Sequence, residues 1–178
     1  VRVRLDGQQQ IMVSGPLMSG YLGEAALPGA EDRELATGDL GEIDADGFVY
    51  IRGRLKNLII TSLGRNISPE WVERELQTET AIGMAVVCGE ARPYLGALIS
   101  PAGAAGSEQI AAAVARVNTR LPDYARLRRW AAVDTPFTFA NGLLTANGRP
   151  RRARILQRYA SILASLYPMT TEKKATAR

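Results

Sequence analysis

The stretch that decides the fold reads Gly53-Arg54-Leu55-Lys56-Asn57 and then Thr61-Ser62-Leu63-Gly64-Arg65-Asn66-Ile67-Ser68-Pro69. Apolar, strand-like residues stand on both sides of the short charged joint at residues 53–57, and a polar loop that contains glycine follows it. Ser68 suits the N-cap of a helix, and Pro69 suits its first position. This order of features predicts a joint between two lobes, with a ligand-facing loop just after it.

The residues before the joint have the pattern of antiparallel β-structure. Two Asp-Gly pairs, at residues 6–7 and 46–47, each separate two apolar runs, and such a pair favours a tight hairpin turn. Glycines and prolines across residues 15–29 predict an irregular loop. Because three or four short strands cannot bury both faces of a sheet, we expect residues 1–53 to be the end of a larger domain.

The residues after the joint alternate between strand-like and helix-like patterns. Apolar runs predict strands at residues 58–60, 81–88, 95–99 and 128–133. A helical period predicts helices at residues 69–79, at residues 108–121 with Ser107 as N-cap, and at residues 151–167. We therefore predict an α+β fold, in which residues 57–167 form a small three-stranded sheet with about three helices, preceded by antiparallel β-hairpins.

The composition excludes several kinds of site. The chain of 178 residues has no histidine and one cysteine, Cys88. Ser-His-Asp triads, histidine metal sites and an intramolecular disulfide are therefore excluded, and we expect no metal site. The single cysteine favours a reducing, cytoplasmic location, and no apolar run approaches the roughly 18 residues that a spanning helix needs. Attachment to the periphery of a membrane stays open.

The charge is distributed unevenly along the chain. Residues 1–115 carry 9 Lys and Arg against 15 Asp and Glu, whereas residues 116–178 carry 13 against 3. This basic C-terminal third suits an anionic partner: nucleic acid, a phosphorylated cofactor or an acidic carrier protein. An arginine-rich surface that only contacts water explains the same composition.

Residues 36–73 resemble the C-terminal part of the adenylate-forming enzymes, the acyl-CoA synthetase or AMP-binding superfamily. Within that range the matching pieces are Thr37-Gly38-Asp39, the run from Gly47 to Asn57, and Thr61 to Pro69 with Glu73. The family's pattern also fits Gly15-Pro16 and Gly20-Tyr21 upstream, and Asn141-Gly142-Leu143-Leu144-Thr145 downstream, where a basic cluster follows. Each piece alone is a weak match, but their order and spacing together are specific. The Thr-Ser-x-Gly-x-Asn and Asn-Gly-Leu-Leu-Thr motifs look most like the long-chain fatty acyl-CoA synthetase branch.

The resemblance implies a nucleotide-binding role for Asp39 and Arg54, which match the residues that contact the ribose of ATP. A carboxylate can accept two hydroxyl hydrogen bonds, so the residue type at position 39 fits. Lys56 matches the hinge about which the C-terminal domain rotates between the two half-reactions. The alternatives are a turn aspartate for Asp39 and a surface arginine at a strand end for Arg54.

The resemblance also implies roles for the loop after the joint and for Arg149. Ser62 and Gly64 match the loop that lines the tunnel for CoA, where a glycine permits close backbone approach; an ordinary turn glycine is the alternative for Gly64. Arg149 stands where the family has a catalytic lysine that contacts the acyl carboxylate and the phosphate during adenylation. Arginine keeps the charge but is bulkier and planar, so the first half-reaction could be either retained or impaired.

The domain organisation and the reaction follow from the same resemblance. The implied organisation is 1–53 as the end of the large N-terminal adenylation domain, 54–57 as the hinge, 58–167 as a mobile C-terminal domain and 168–178 as a flexible tail. The whole enzyme would convert a fatty acid to its CoA thioester through an acyl-adenylate, with ATP and Mg²⁺ bound mostly upstream and CoA as co-substrate. Because the phosphate loop and acyl pocket of the family lie upstream, we expect the 178 residues alone to be inactive.

Three other functions stay open at this point. The acyl group could pass to an acyl-carrier protein instead of CoA, or the domain could serve only for interaction. The third function is a nucleic-acid-binding module that uses the basic helix at residues 151–158. Because that region lacks interleaved surface aromatics, we do not expect nucleic acid as a partner.

Overall fold

The structure is a computed structural model that describes residues 1–18 and 34–168. Much of the irregular loop predicted at residues 15–29, with Gly20-Tyr21, and nearly all of the predicted tail at residues 168–178 lie outside the described residues. The chain divides into two compact units. Unit 1 comprises Val1–Leu58 and Ser68–Trp71, and unit 2 comprises Ile59–Ile67 and Val72–Arg178.

Unit 1 is built on a four-stranded antiparallel sheet. Its strands, in spatial order, are β1 (Arg2–Leu5), β2 (Gln10–Ser14), β3 (Glu34–Ile43) and β4 (Val49–Arg54). Both hairpin turns are held by an aspartate that accepts two backbone N–H bonds. Asp6 accepts from Gln8 and Gln10 at 2.8 and 2.9 Å, and Asp44 accepts from Asp46 and Phe48 at 3.0 and 2.8 Å. The two predicted hairpins are therefore confirmed.

The joint follows β4 as one 3₁₀ turn, Leu55–Asn57. The short strands β5 (Ile59–Ile60) and β6 (Asn66–Ile67) then pair antiparallel and enclose the loop at residues 61–65. Helix α1 (Pro69–Gln77) starts at the predicted proline. The hydroxyl of Ser68 donates to the carbonyl oxygen of Arg52 at 2.9 Å, which ties the helix start to the end of β4.

Unit 2 contains a three-stranded mixed sheet. Strands β7 (Ile82–Cys88) and β8 (Leu95–Pro101) are antiparallel, and β9 (Leu127–Ala132) lies parallel to β8. A parallel pair needs a crossover, and helix α2 (Ser107–Arg120) supplies it. The side chain of Asn118 bonds both the N–H and the carbonyl of Leu127 at 2.9 Å, which fixes the start of β9 against α2.

The core of unit 2 lies between its sheet and its helices. One face of α1 and one face of α2 contribute fully buried residues, as the helical period predicts. The buried side chains of these helices are Val72 and Leu76 of α1, with Ile110, Ala113, Val114 and Val117 of α2. A second cluster joins the sheet to the C-terminal helices through Val86, Leu98, Val133, Phe137, Leu143 and Ile155. The predicted α+β class is confirmed.

Two details of the helix predictions are wrong. The single helix predicted at residues 151–167 is two helices, α3 (Arg152–Arg158) and α4 (Ala160–Leu166), which are separated at Tyr159 with φ −105° and ψ 26°. The Tyr159 hydroxyl donates to the Thr135 carbonyl at 3.1 Å, and its ring centroid lies 6.0 Å from that of Phe137. Tertiary contacts at this residue accompany the break. At α2, the N-cap is Gly106, and Ser107 is already helical.

Candidate functional site

The predicted nucleotide-binding pair is formed by the register of two strands. Asp39 on β3 lies directly opposite Arg54, the last residue of β4, so both side chains project from the same face. The Nε of Arg54 lies 2.7 Å from Oδ1 of Asp39. The Asp39 side chain is 20% exposed and that of Arg54 is 50% exposed. The pair is therefore preorganised and still open to solvent on one side.

An open cleft of about 530 Å³ adjoins this pair within unit 1. Thr37, Gly38, Arg54 and Lys56 contribute to its lining. The Thr37 hydroxyl donates to the Ile11 carbonyl at 2.8 Å and accepts from the Asp39 N–H at 3.1 Å, which fixes the backbone beside the carboxylate. The carboxylate of Asp39 has lone pairs beyond the one that Arg54 uses, and the cations Arg54 and Lys56 line the cleft. The residues present therefore fit a ligand that carries hydroxyls and phosphate.

The loop between β5 and β6 is held by its own backbone. Thr61 and Arg65 exchange hydrogen bonds at 3.0 and 3.1 Å, and the Ser62 N–H donates to the Arg92 carbonyl at 3.0 Å. Gly64 has φ +72°, and a Cβ there would have no atom within 4 Å. The left-handed backbone accounts for the glycine, and the open space around it permits the close approach of a ligand.

Arg149 lies on a tight loop of unit 2. The Thr145 N–H donates to the Arg149 carbonyl at 2.9 Å, and the Thr145 hydroxyl accepts from the Arg149 N–H at 3.0 Å. Leu144 and Pro150 form an isolated antiparallel bridge that closes the loop. The side chain of Arg149 is exposed and makes no ion pair with any residue in the described ranges. The backbone of Arg149 is therefore fixed, and its guanidinium is accessible.

The described structure groups the predicted residues into three places. Asp39, Arg54 and Lys56 adjoin one cleft of unit 1. Ser62 and Gly64 share the β5–β6 loop of unit 2, and Arg149 lies on another loop of that unit.

Sequence reasoning missed a second cleft, in unit 2. This cleft has a volume of about 530 Å³ and is lined by Arg92, Pro93, Tyr94, Arg128, Arg129, Tyr167 and Pro168. The rings of Tyr94 and Tyr167 stack at 5.2 Å, and the guanidinium of Arg92 lies 5.0 Å from the Tyr167 ring centroid. The residues are far apart in sequence, so the only sequence signal for this cleft is the excess of basic residues in the C-terminal third.

Cys88 and Tyr167 have perturbed acidities for the same reason. Burial raises the pKa of the Cys88 thiol and the pKa of the Tyr167 hydroxyl above their ordinary values. The thiol sulfur lies 3.4 Å from the hydroxyl oxygen, and that hydroxyl donates to the Cys88 carbonyl at 3.0 Å. Both groups stay protonated near neutral pH, so neither is suited to accept a proton in catalysis.

The described residues hold neither a cluster of metal ligands nor a membrane-spanning helix. Residues 1–18 and 34–168 contain no group of three or more Cys, Asp or Glu side chains arranged to hold a metal ion. In the same part of the chain, no helix is both long enough and apolar enough to cross a bilayer.

The fold and the loops define a domain of the kind found in adenylate-forming enzymes. The chain belongs to the family of AMP-binding enzyme C-terminal domains, whose family model matches residues 56–171. Over 193 residues the chain is 30% identical to the long-chain-fatty-acid–CoA ligase FadD15 of Mycobacterium tuberculosis, and this match covers 94% of the chain and 32% of FadD15. The chain spans about a third of the length of the curated relatives it matches.

Solved structures give the same fold. The A-PCP didomain of carboxylic acid reductase from Segniliparus rugosus, in complex with AMP, matches 76% of this chain with 21% of its own, at a TM-score of 0.67 and 24% identity. O-succinylbenzoate coenzyme A synthetase of Bacillus subtilis, in complex with AMP, matches 82% of this chain with 29% of its own, at a TM-score of 0.59 and 27% identity.

Proposed function

We propose that this chain is the C-terminal portion of an ATP-dependent fatty acid–CoA ligase. In the first half-reaction an acyl carboxylate oxygen attacks the α-phosphorus of ATP, and pyrophosphate leaves. In the second the CoA thiol attacks the acyl carbonyl carbon, the thiol proton is released and AMP leaves. Residues upstream would hold most of the Mg²⁺ contacts, and the ion would neutralise phosphate charge. The family membership and the likeness to FadD15 support this proposal.

The observation that carries the proposal is the Asp39–Arg54 pair beside the joint. Asp39 would accept hydrogen bonds from the ribose hydroxyls, and Arg54, which holds the carboxylate at 2.7 Å, would contact the same sugar. Lys56, in the 3₁₀ turn that follows, would be the hinge residue whose backbone rotates between the half-reactions.

The remaining predicted residues would act from the loops of unit 2. Ser62 and Gly64 would line the path of the CoA arm, because the backbone around Gly64 is open. Arg149 would bring its guanidinium to the acyl carboxylate and the α-phosphate during adenylation, in place of the lysine of the family.

The test of the nucleotide site is Asp39→Ala in the longer ligase that carries this chain. Hydrogen bonds to a charged group contribute about 1.5–3 kcal/mol, so we expect the KM for ATP in ATP–pyrophosphate exchange to rise about tenfold or more. Glu42→Ala is the matched control on the same strand, where an exposed carboxylate pairs with Arg52. An unchanged KM for ATP in Asp39→Ala would reject the ribose-binding role, and fatty acid turnover by residues 1–178 alone would reject the need for upstream residues.

A carrier protein is the second candidate for the thiol acceptor. The three arginines of the cleft in unit 2, Arg92, Arg128 and Arg129, favour an acidic partner. Assaying the ligase with CoA and with a phosphopantetheinylated acyl-carrier protein separates the two acceptors.

A further inference from the structure

A buried ion pair outside the predicted site closes the edge of the unit 2 sheet. Glu73 of α1 accepts a hydrogen bond from Nη2 of Arg152, the first residue of α3, at 2.5 Å. The side chain of Glu73 is 9% exposed and that of Arg152 is 27% exposed. Both groups also bond the backbone of Val87 in β7. The Val87 N–H donates to Glu73 Oε1 at 2.7 Å, and the Val87 carbonyl accepts from Arg152 Nη1 at 2.5 Å.

The three residues form a closed ring of hydrogen bonds on an edge strand. β7 is at the edge of the sheet in the described structure, and an edge strand presents N–H and C=O groups that no neighbouring strand pairs. The carboxylate of Glu73 and the fork of Arg152 satisfy both groups of Val87, as a further strand would. Only a planar fork reaches the carboxylate and the carbonyl with two nitrogens at once, so the arrangement fixes where Arg152 lies.

Arg152 in turn fixes one end of the loop that carries Arg149. Two residues separate the two positions, and the N–H of one of them, Arg151, donates to the Leu143 carbonyl at 2.8 Å. The turn from Thr145 to Arg149 is closed by its own hydrogen bonds. The loop is therefore held together by its own hydrogen bonds, and the contacts of Arg152 with α1 and β7 fix the position of its downstream end.

We infer that Glu73 and Arg152 are positioning residues for adenylation, which hold the loop so that Arg149 can reach the reacting phosphate. This inference rests on the proposed function of Arg149. It differs from a role in stability alone because Arg149 is proposed to act in the first half-reaction and not in the second. Loss of the ring of hydrogen bonds should therefore affect the half-reactions unequally.

The experiment uses the full-length ligase with Arg152→Lys, which keeps the charge and removes the fork. We expect ATP–pyrophosphate exchange with a fatty acid to fall at least about tenfold, since a displacement near 1 Å at a reacting group can cost about 100-fold. Thioester formation from synthetic acyl-adenylate and CoA should stay within about twofold. Glu73→Leu, the second variant, removes the acceptor of both hydrogen bonds and should give the same unequal effect on the two half-reactions. It applies the same criteria if circular dichroism shows Arg152→Lys to be unfolded.

Arg116→Met is the matched control, because it breaks an arginine–carboxylate pair of unit 2 that does not include Glu73, Val87 or Arg152. Both half-reactions should keep their rates in this variant. Equal losses in the two half-reactions for Arg152→Lys and Glu73→Leu would overturn the inference and leave a structural role. Unchanged rates of both half-reactions in both variants would overturn it as well.

A double-mutant cycle separates the inference from the proposed function. If Arg152 acts through Arg149, Arg152→Lys should cause no further loss of exchange in an Arg149→Ala background. Additive losses would overturn the positioning role while keeping the role of Arg149. An unchanged rate of ATP–pyrophosphate exchange in Arg149→Ala alone would overturn the proposed role of Arg149, and the inference with it.

Discussion

Gly53 shows at the scale of one residue why the joint has its sequence. A Cβ at this buried position would lie 2.1 Å from the Ser68 hydroxyl oxygen and 2.9 Å from the Ser68 Cβ. The same hydroxyl donates to the Arg52 carbonyl, so it cannot move without losing that bond. The motif match identified Gly53, but not this contact, because no local pattern links residues so far apart in sequence.

We predict that Gly53→Ala destabilises unit 1 by about 1–3 kcal/mol, the usual cost of forcing an extra carbon into a packed site. The measurement is urea-induced unfolding of the longer ligase that carries this chain. Gly7→Ala is the control, since a Cβ at this exposed turn position meets nothing within 4 Å, and we expect a change within about 0.5 kcal/mol. Equal effects of the two substitutions would show that the contact with Ser68 is not a tight one.

The sequence identified some residues of the candidate site but not the contacts between them. The motifs singled out Asp39 and Arg54 as nucleotide-binding residues, which stays a prediction, and the strand register places their side chains 2.7 Å apart. The ion pair of Glu73 with Arg152 could not be predicted, because its partners are 79 positions apart in the sequence. A motif identifies residue types at local spacing, whereas such a pair depends on how α3 packs against β7.

At the scale of elements, the spacing of apolar residues predicted the positions of most strands and helices, but not how these elements pair and pack. The apolar run at residues 128–133 identified β9, yet its parallel pairing with β8 follows from the crossover through α2. The break between α3 and α4 had no signal at all. Neither proline nor glycine lies near Tyr159, and the contacts of its hydroxyl and ring with residues 135 and 137 are tertiary.

The contact between the end of α1 and helix α2 should depend on pH. Arg116 donates two hydrogen bonds to Glu79, at 2.7 and 2.9 Å, and Arg120 adds a weaker contact at 3.3 Å. The hydrogen bond from Arg116 is the main cause that lowers the pKa of Glu79 below its ordinary value of 4.5. A carboxylate whose folded-state pKa is lowered stabilises the fold above its unfolded pKa, and this stabilisation is lost as the pH falls through the folded value.

We therefore predict that Arg116→Met lowers the midpoint of thermal unfolding at pH 7, and that its difference from the unaltered chain shrinks as the pH falls below 4.5. Scanning calorimetry at several pH values measures both. Glu79→Gln, which cannot ionise, should show the same pattern of loss. A difference that stays constant down to pH 3 would mean that the charge of Glu79 contributes nothing to the contact.

At the scale of the whole molecule, the two units differ in how much apolar surface they bury. Within the described part of Val1–Leu58, Ile11 is the one hydrophobic side chain that is buried. The second unit has the buried faces of α1 and α2 and the cluster that joins its sheet to α3. Phe48, Tyr50 and Ile51 in the hairpin of β3 and β4 are 64%, 46% and 57% exposed. A four-stranded sheet with so little burial cannot offset the conformational entropy lost on folding.

This asymmetry predicts different behaviour when the units are produced separately. Residues 59–168 should fold cooperatively by themselves, with dispersed amide proton signals and a sigmoidal urea transition, because their buried clusters are complete within that range. Residues 1–58 should give the narrow amide dispersion of an unfolded chain. Ile155→Asp in residues 59–168 is the control: it places a carboxylate at a position with no exposure and should abolish the transition. A folded peptide of residues 1–58 would show that its β-hairpins are stable without further packing, and would contradict the expectation that they end a larger domain.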